Sequence, residues 1–286
     1  MRIALGTVQF GLDYGISNYA GKVPNDEITK ILNLAKLNNI SYLDTAMGYG
    51  ISESVIGKYR KRHNDNHFNI TTKLPDISAS CNSISEFLNE SLSRLSCSQV
   101  YSLLCHVPEN LNLHTFEELF HLKEQRKIKK IGVSVYSPEQ AFSIADNFHI
   151  DLIQFPLNIF DQRFIESGCL ANLKDKGIEI HTRSLFLQGL LLQPIKEIND
   201  YFRPYLSKVT AFHELCLQHN LSALDMALSF THSIKDVDKF VIGVCSEKQL
   251  REILKSYKKT ADINIESQIL SSTEEDFINP SLWNIK

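Results

Sequence analysis

The sequence predicts an α/β fold, a closed (β/α)8 TIM barrel in a single domain, on three observations. Eight short runs rich in β-formers alternate with longer runs of helical period along the 286 residues. Several short runs are apolar on consecutive residues, as in Val100-Tyr101-Ser102-Leu103-Leu104, the pattern of strands covered on both faces. No Pro/Ser-rich linker or shift in composition divides the chain. Strands alternating with helices imply parallel pairing through right-handed crossovers. Eight such units fit a closed barrel of about 250 residues better than an open, doubly wound sheet.

The expected strands are Ile3–Gly6, Ile40–Thr45, Asn69–Leu74, Val100–His106, Ile128–Val135, Leu152–Leu157, Glu179–Ser184 and Lys239–Val244. Between them, Asn25–Leu37 places Ile28, Ile31, Leu32 and Ala35 on one helical face behind Pro24 and Asn25 as start signals. Ser85–Leu95 carries Phe87, Leu88, Leu92 and Leu95 on one face. Ser137-Pro138 opens a further helix with a cap and a first-turn proline, and Ser246 opens the last, filled by Lys248–Tyr257. Gln188–Pro204 is too long for an ordinary βα connection and reads as a functional loop. The barrel is assigned to residues 1–260. Residues 261–286 form an extension expected to pack on or near it, since Trp283 is the only tryptophan.

Composition narrows the function. Hydrophobic residues are 43% and charged residues 22%, the balance of a soluble globular chain. The net charge of −3 and pI near 6.4, with no long basic run, argue against a nucleic-acid partner and for a small molecule. No apolar run reaches the roughly 18 residues of a membrane span. The six cysteines, Cys81, Cys97, Cys105, Cys169, Cys216 and Cys245, show no C-x-x-C spacing, and no signal peptide precedes them. Free thiols in the cytoplasm are expected, and no metal.

Catalytic groups of such a barrel lie at the C-terminal strand ends. There the second strand offers Asp44 and then Tyr49, the third Lys73 and the fourth His106. Each alone has an ordinary reading, as a helix cap, a packed ring, a loop charge or a core histidine. Four at three consecutive strand ends point to one site. Their chemistry suits carbonyl reduction. A hydride arriving at carbon leaves an alkoxide that needs a proton. A phenol is too weak an acid near neutrality unless a neighbouring ammonium favours its phenolate. A carboxylate holds that ammonium, and a neutral imidazole orients the carbonyl oxygen. No side chain supplies a hydride, so a cofactor must.

These residues resemble the aldo-keto reductase family. Asp44-Thr45-Ala46-Met47-Gly48-Tyr49-Gly50 is similar to its D-T-A-x-x-Y-G signature, and Leu5-Gly6-Thr7 to its opening turn. Gly132-Val133-Ser134, Gln154-Phe155-Pro156-Leu157-Asn158 and Gln188-Gly189-Leu190-Leu191 resemble its cofactor-side segments, so the likeness runs from Leu5 to about Leu254. It implies reduction of an aldehyde or ketone with a nicotinamide cofactor bound across the C-terminal mouth. By resemblance, Tyr49 is the general acid, Lys73 tunes it, Asp44 pairs with Lys73, and His106 orients the carbonyl. Gly6 and Thr7 lie near the nicotinamide, while Ser134 and Gln154 bond its carboxamide. Ser184, Phe186, Gln188 and Gly189 follow the pyrophosphate. Gly243, Ser246, Lys248, Gln249 and Glu252 hold the adenosine end, where the helix N-terminus suits phosphate.

There are departures from the family. Val135 follows Ser134 where Asn is common, and Arg183 stands where an aromatic stacks on the nicotinamide. A guanidinium there can stack too, or bind an anionic substrate. Gln249 replaces an Arg and Ile253 an Asn at the adenosine end, which leaves NADH open. NADPH is the expected cofactor, with Lys248, Arg251 and Ser246 available to a 2′-phosphate. Tyr14, Tyr19, Phe160, Tyr201, Phe202 and Trp283 are candidate walls for a small carbonyl substrate, sugar-like, hydrophobic or anionic. Two rival readings are a Schiff-base aldolase or isomerase using Lys73 and a regulatory subunit that senses the cofactor with little turnover. His63 and His67 sit in a turn-like stretch, Lys127–Lys130 reads as a solvated run, and Cys105 is expected to pack under the helices.

Overall fold

A computed structural model describes residues 1–78, 83–263 and 265–285. Eight parallel strands close in sequence order: β1 (Ile3–Gly6), β2 (Tyr42–Asp44), β3 (Asn69–Lys73), β4 (Val100–Cys105), β5 (Ile128–Ser134), β6 (Leu152–Pro156), β7 (Glu179–Arg183) and β8 (Lys239–Gly243). The fold class expected from the sequence is borne out. Closure is made by β1 on β8, with Gly6 opposite Gly243, and by Gly6 opposite Asp44 on the other side. Most strands end a residue before the expected limit, because the last residue already turns into the loop above.

The helices follow from the apolar spacing. Asn25–Leu37 buries Ile28, Ile31, Leu32, Leu34 and Ala35 against the barrel. Ile84–Leu95 starts with a capping box, Ser83 accepting from the Glu86 amide while Glu86 accepts from the Ser83 amide. Ser137 and Ser246 each cap their helices through the side chain, as expected. The apolar cluster between strands and helices holds Cys105, Val133 and Phe155. Cys105 is pushed up to about 12 by burial, so this thiol stays protonated and inert.

Polar residues close the N-terminal end of the barrel. Glu179 accepts from Tyr101 at 2.5 Å and from Lys130, and it meets His181 at 2.7 Å. Lys130 therefore leaves the solvated run expected for Lys127–Lys130 and turns onto a carboxylate, while Lys127 reaches Asn89 at the surface.

The chain after β7 runs through short 3-10 turns, Leu187–Leu192, Ile195–Glu197 and Asp200–Tyr205, before the helix Leu206–Gln218. The C-terminal segment folds back over this region. Phe277 stacks on Tyr205 and meets Phe160 edge-on, Trp283 meets Phe202 edge-on, and the Ser272 amide donates to the Phe160 carbonyl. Cys81 lies outside the described residues. Among the described residues, no helix is long and apolar enough to cross a membrane, and no group of three His, Cys, Asp or Glu could hold a metal. His63 stacks on Tyr59, and the His67 ring meets the Ile40 carbonyl.

Candidate active site

The C-terminal mouth opens into a cavity of about 820 Å³, within the range of small-molecule sites. Asp44, Tyr49, His106 and Arg183 share its wall at one end, and Gln249, Glu252 and Ile253 lie at the other. Alternation along β4 turns His106 inward while Cys105 faces the helices.

Asp44 is the last residue of β2, paired with Gly6 on one side and Thr71 on the other. Lys73 ends β3, two positions on from Thr71, so both side chains point into the barrel. Lys73 Nζ donates to Asp44 Oδ1 at 2.5 Å and to the Thr45 carbonyl at 3.0 Å, and only 1% of the residue is exposed. Burial pulls this ammonium down, but Asp44 and the Tyr49 phenol outweigh it and the net shift is upward. Lys73 is held charged. The second Asp44 oxygen accepts from Gln154 Nε2 at 2.7 Å.

Tyr49 stands in the tight turn after β2, where its amide donates to the Ala46 carbonyl. The short helix Val8–Gly11 packs beneath this turn. A Cβ on Gly11 would lie 1.8 Å from the Tyr49 carbonyl oxygen, so only glycine allows the approach. Lys73 Nζ lies 5.1 Å from the centre of the Tyr49 ring. The His106 ring meets Tyr49 edge-on at 6.1 Å. Burial, followed by the positive charges of Lys73 and Arg183, lowers His106 to about 4, so its imidazole is neutral at physiological pH.

Of the residues expected to hold a cofactor, Gly6, Thr7, Arg183, Ser184, Phe186, Gln188, Gly189, Gly243, Gln249 and Glu252 line the cavity. Gly189 has a positive φ of 96°, and a Cβ there would strike Ser17, whose hydroxyl donates to the Gln188 carbonyl. Ser134 and Gln154 are opposite each other on β5 and β6 and fully buried below the wall. Ser134 Oγ and Gln154 Oε1 have no hydrogen-bond partner. Ser246 and Lys248 do not line the cavity: Ser246 caps its helix, and the Lys248 side chain is 85% exposed.

The expected walls divide. Tyr14 and Tyr19 line the cavity. Phe160 and Phe202 are fully buried under the C-terminal segment, Trp283 packs on Phe202, and the Tyr201 hydroxyl donates to the Asp276 carbonyl. These four serve packing between the extension, which carries Trp283, and the segments after β6 and β7, and none of them lines the cavity. Pro280 and Ser281 of that extension join the wall instead, as do Gln9 and Tyr136. Gln9 and Tyr136 stand within two residues of the recognised Thr7 and Ser134, a proximity that could have flagged them. Pro280 and Ser281 carry no sequence signal.

The aldo/keto reductase family model matches residues 2–269. Among curated proteins, the aldo-keto reductase YhdN of Bacillus subtilis (strain 168) is 26% identical over 292 residues, covering 89% of this chain and 87% of that one. The L-glyceraldehyde 3-phosphate reductase of Escherichia coli O157:H7 is 26% identical over 191 residues, covering 58% of this chain and 55% of its own length. Among solved structures, the holo form of aldo-keto reductase AKR11C1 from Bacillus halodurans superposes with a TM-score of 0.75. It covers 95% of this chain and 92% of that one at 19% identity, which shows likeness of fold. Family members use nicotinamide cofactors on small-molecule carbonyls. With its closed eight-stranded barrel and a family match over nearly its whole length, the chain belongs to the aldo/keto reductase family.

Proposed function

We propose that the protein reduces an aldehyde or ketone to an alcohol at the expense of a reduced nicotinamide dinucleotide, with Tyr49 as proton donor. The observation that carries this reading is the buried Lys73–Asp44 pair set against the Tyr49 ring, facing a neutral His106 across the cavity wall. The dinucleotide, when bound, supplies the hydride. Tyr49 passes its hydroxyl proton to the carbonyl oxygen, and the Lys73 ammonium stabilises the phenolate left behind. Asp44 keeps Lys73 charged and fixed. The neutral His106 ring offers an N–H to the same oxygen as negative charge develops on it.

The residues suit the cofactor. The unpaired Ser134 Oγ and Gln154 Oε1 complement a carboxamide, which both donates and accepts. Tyr49→Phe tests the reading: reduction should fall by about 10²–10⁴-fold, with dinucleotide binding kept. Full turnover in that variant would refute the assignment.

A Schiff base on Lys73 is disfavoured, because that chemistry needs a free amine and this one is held as an ammonium. Substrate charge is read from Arg183. Its guanidinium lies on the Tyr136 ring at 4.3 Å and has no carboxylate partner among the described residues. An unpaired cation beside His106 favours a carbonyl compound bearing a carboxylate or phosphate. The relative named for L-glyceraldehyde 3-phosphate supports that class. Arg183→Ala should raise KM for anionic carbonyls and leave neutral ones unchanged; equal effects on both would remove the idea.

A further inference from the structure

We propose that the nucleotide end of the cavity is built for a dinucleotide without a 2′-phosphate, so that this reductase binds NADH in preference to NADPH. The inference rests on the nicotinamide reading above and deepens it.

The amides at the start of the helix Glu247–Lys259 are the natural seat for a phosphate. Here the Glu247 and Gln249 amides are engaged within the chain, as is the Cys245 amide just before the cap. The Glu247 amide donates to the Glu27 carboxylate at 2.7 Å, the Gln249 amide to Ser246 Oγ at 3.2 Å, and the Cys245 amide to Gln249 Oε1 at 2.7 Å. A carboxylate thus already takes one of the donors a phosphate would use, and the bond from the Glu247 amide holds the Glu27 carboxyl below its ordinary range.

The cations near this helix do not line the cavity. Lys30 pairs with Glu27 at 3.0 Å, Arg251 with Glu247, and Lys248 approaches Glu252 at 4.0 Å with its side chain in solvent. Glu252 itself lines the cavity beside Gln249 and Ile253. Arg183 is the lysine or arginine of the described cavity wall, and it stands at the opposite, catalytic end. A 2′-phosphate would therefore lose water without gaining a charged partner on the wall and would face the Glu252 carboxylate. A 2′-hydroxyl meets no such penalty and can donate to a carboxylate such as Glu252.

Fluorescence titration of the full chain with each dinucleotide tests the proposal directly. NADH should bind about tenfold or more tightly than NADPH, and 5′-ADP should displace it far better than 2′,5′-ADP. Glu252→Lys should narrow or reverse the ratio of the two dissociation constants. Equal or tighter binding of NADPH, with 2′,5′-ADP as the better competitor, overturns the preference and leaves the reductase reading standing. Binding of neither dinucleotide overturns both.

Discussion

Lys73 Nζ and Asp44 Oδ1 lie 2.5 Å apart where the residues are 1% and 5% exposed, so each charge depends on the other. Removing one partner leaves an uncompensated ion in the barrel. Asp44→Ala should cost about 3–5 kcal/mol of stability. The double variant Asp44→Leu/Lys73→Met should lose much less than the sum of the single losses, because no buried charge remains. Urea unfolding of wild type, Asp44→Leu, Lys73→Met and the double variant measures the coupling. Additive losses would mean that the pair is not mutually dependent.

His106 gives a pH signature. Its pKa falls to about 4 in the folded chain, against an ordinary value near 6.5. Between those values the unfolded chain binds the extra proton and the folded chain does not, so stability rises with pH across that window and levels off above it. His106→Asn should flatten part of this slope and lower kcat/KM by about 10²–10³-fold. Urea midpoints from about pH 4 to 7, set against wild type, check the first; steady-state kinetics checks the second.

At the other end of the barrel, Glu179 is shifted in the same direction as His106, by its partners and against burial. Burial would raise it, but His181, Lys130 and Tyr101 outweigh that and hold it near 2. This stabilisation is full above the ordinary glutamate range and is lost as pH falls toward 2. Glu179→Gln should be less stable than wild type at neutral pH, and the gap should close as the pH approaches 2. Thermal unfolding against pH reads this; a constant difference would show that charge is not the cause.

Phe277 is fully buried, stacked on Tyr205 and edge-on to Phe160. Phe277→Ala should cost about 3–5 kcal/mol through the void it leaves. Since the same segment brings Pro280 and Ser281 to the cavity, the variant should also raise KM before it changes kcat. Denaturant unfolding with paired kinetics separates the two effects.

The barrel and the grouping of Asp44, Tyr49, Lys73 and His106 near one mouth are written in the order of residues alone. Both follow from local periodicity: eight β-like runs alternate with helical ones, and residues at consecutive strand ends share a face. The caps Ser137 and Ser246 were legible for the same reason, since a helix start is written within a few residues.

Features that join distant chain segments were not legible in this way and emerge from packing. Glu27 reaches the Glu247 amide across 220 positions, so a donor that looks open in sequence is taken in space. Lys248 reads as a cofactor cation until the helix orientation turns it to solvent. Phe160 and Phe202 read as pocket walls until residues from the C-terminal segment cover them. Periodicity assigns a side chain to a face, but which partner meets that face is set by packing between segments far apart in the chain.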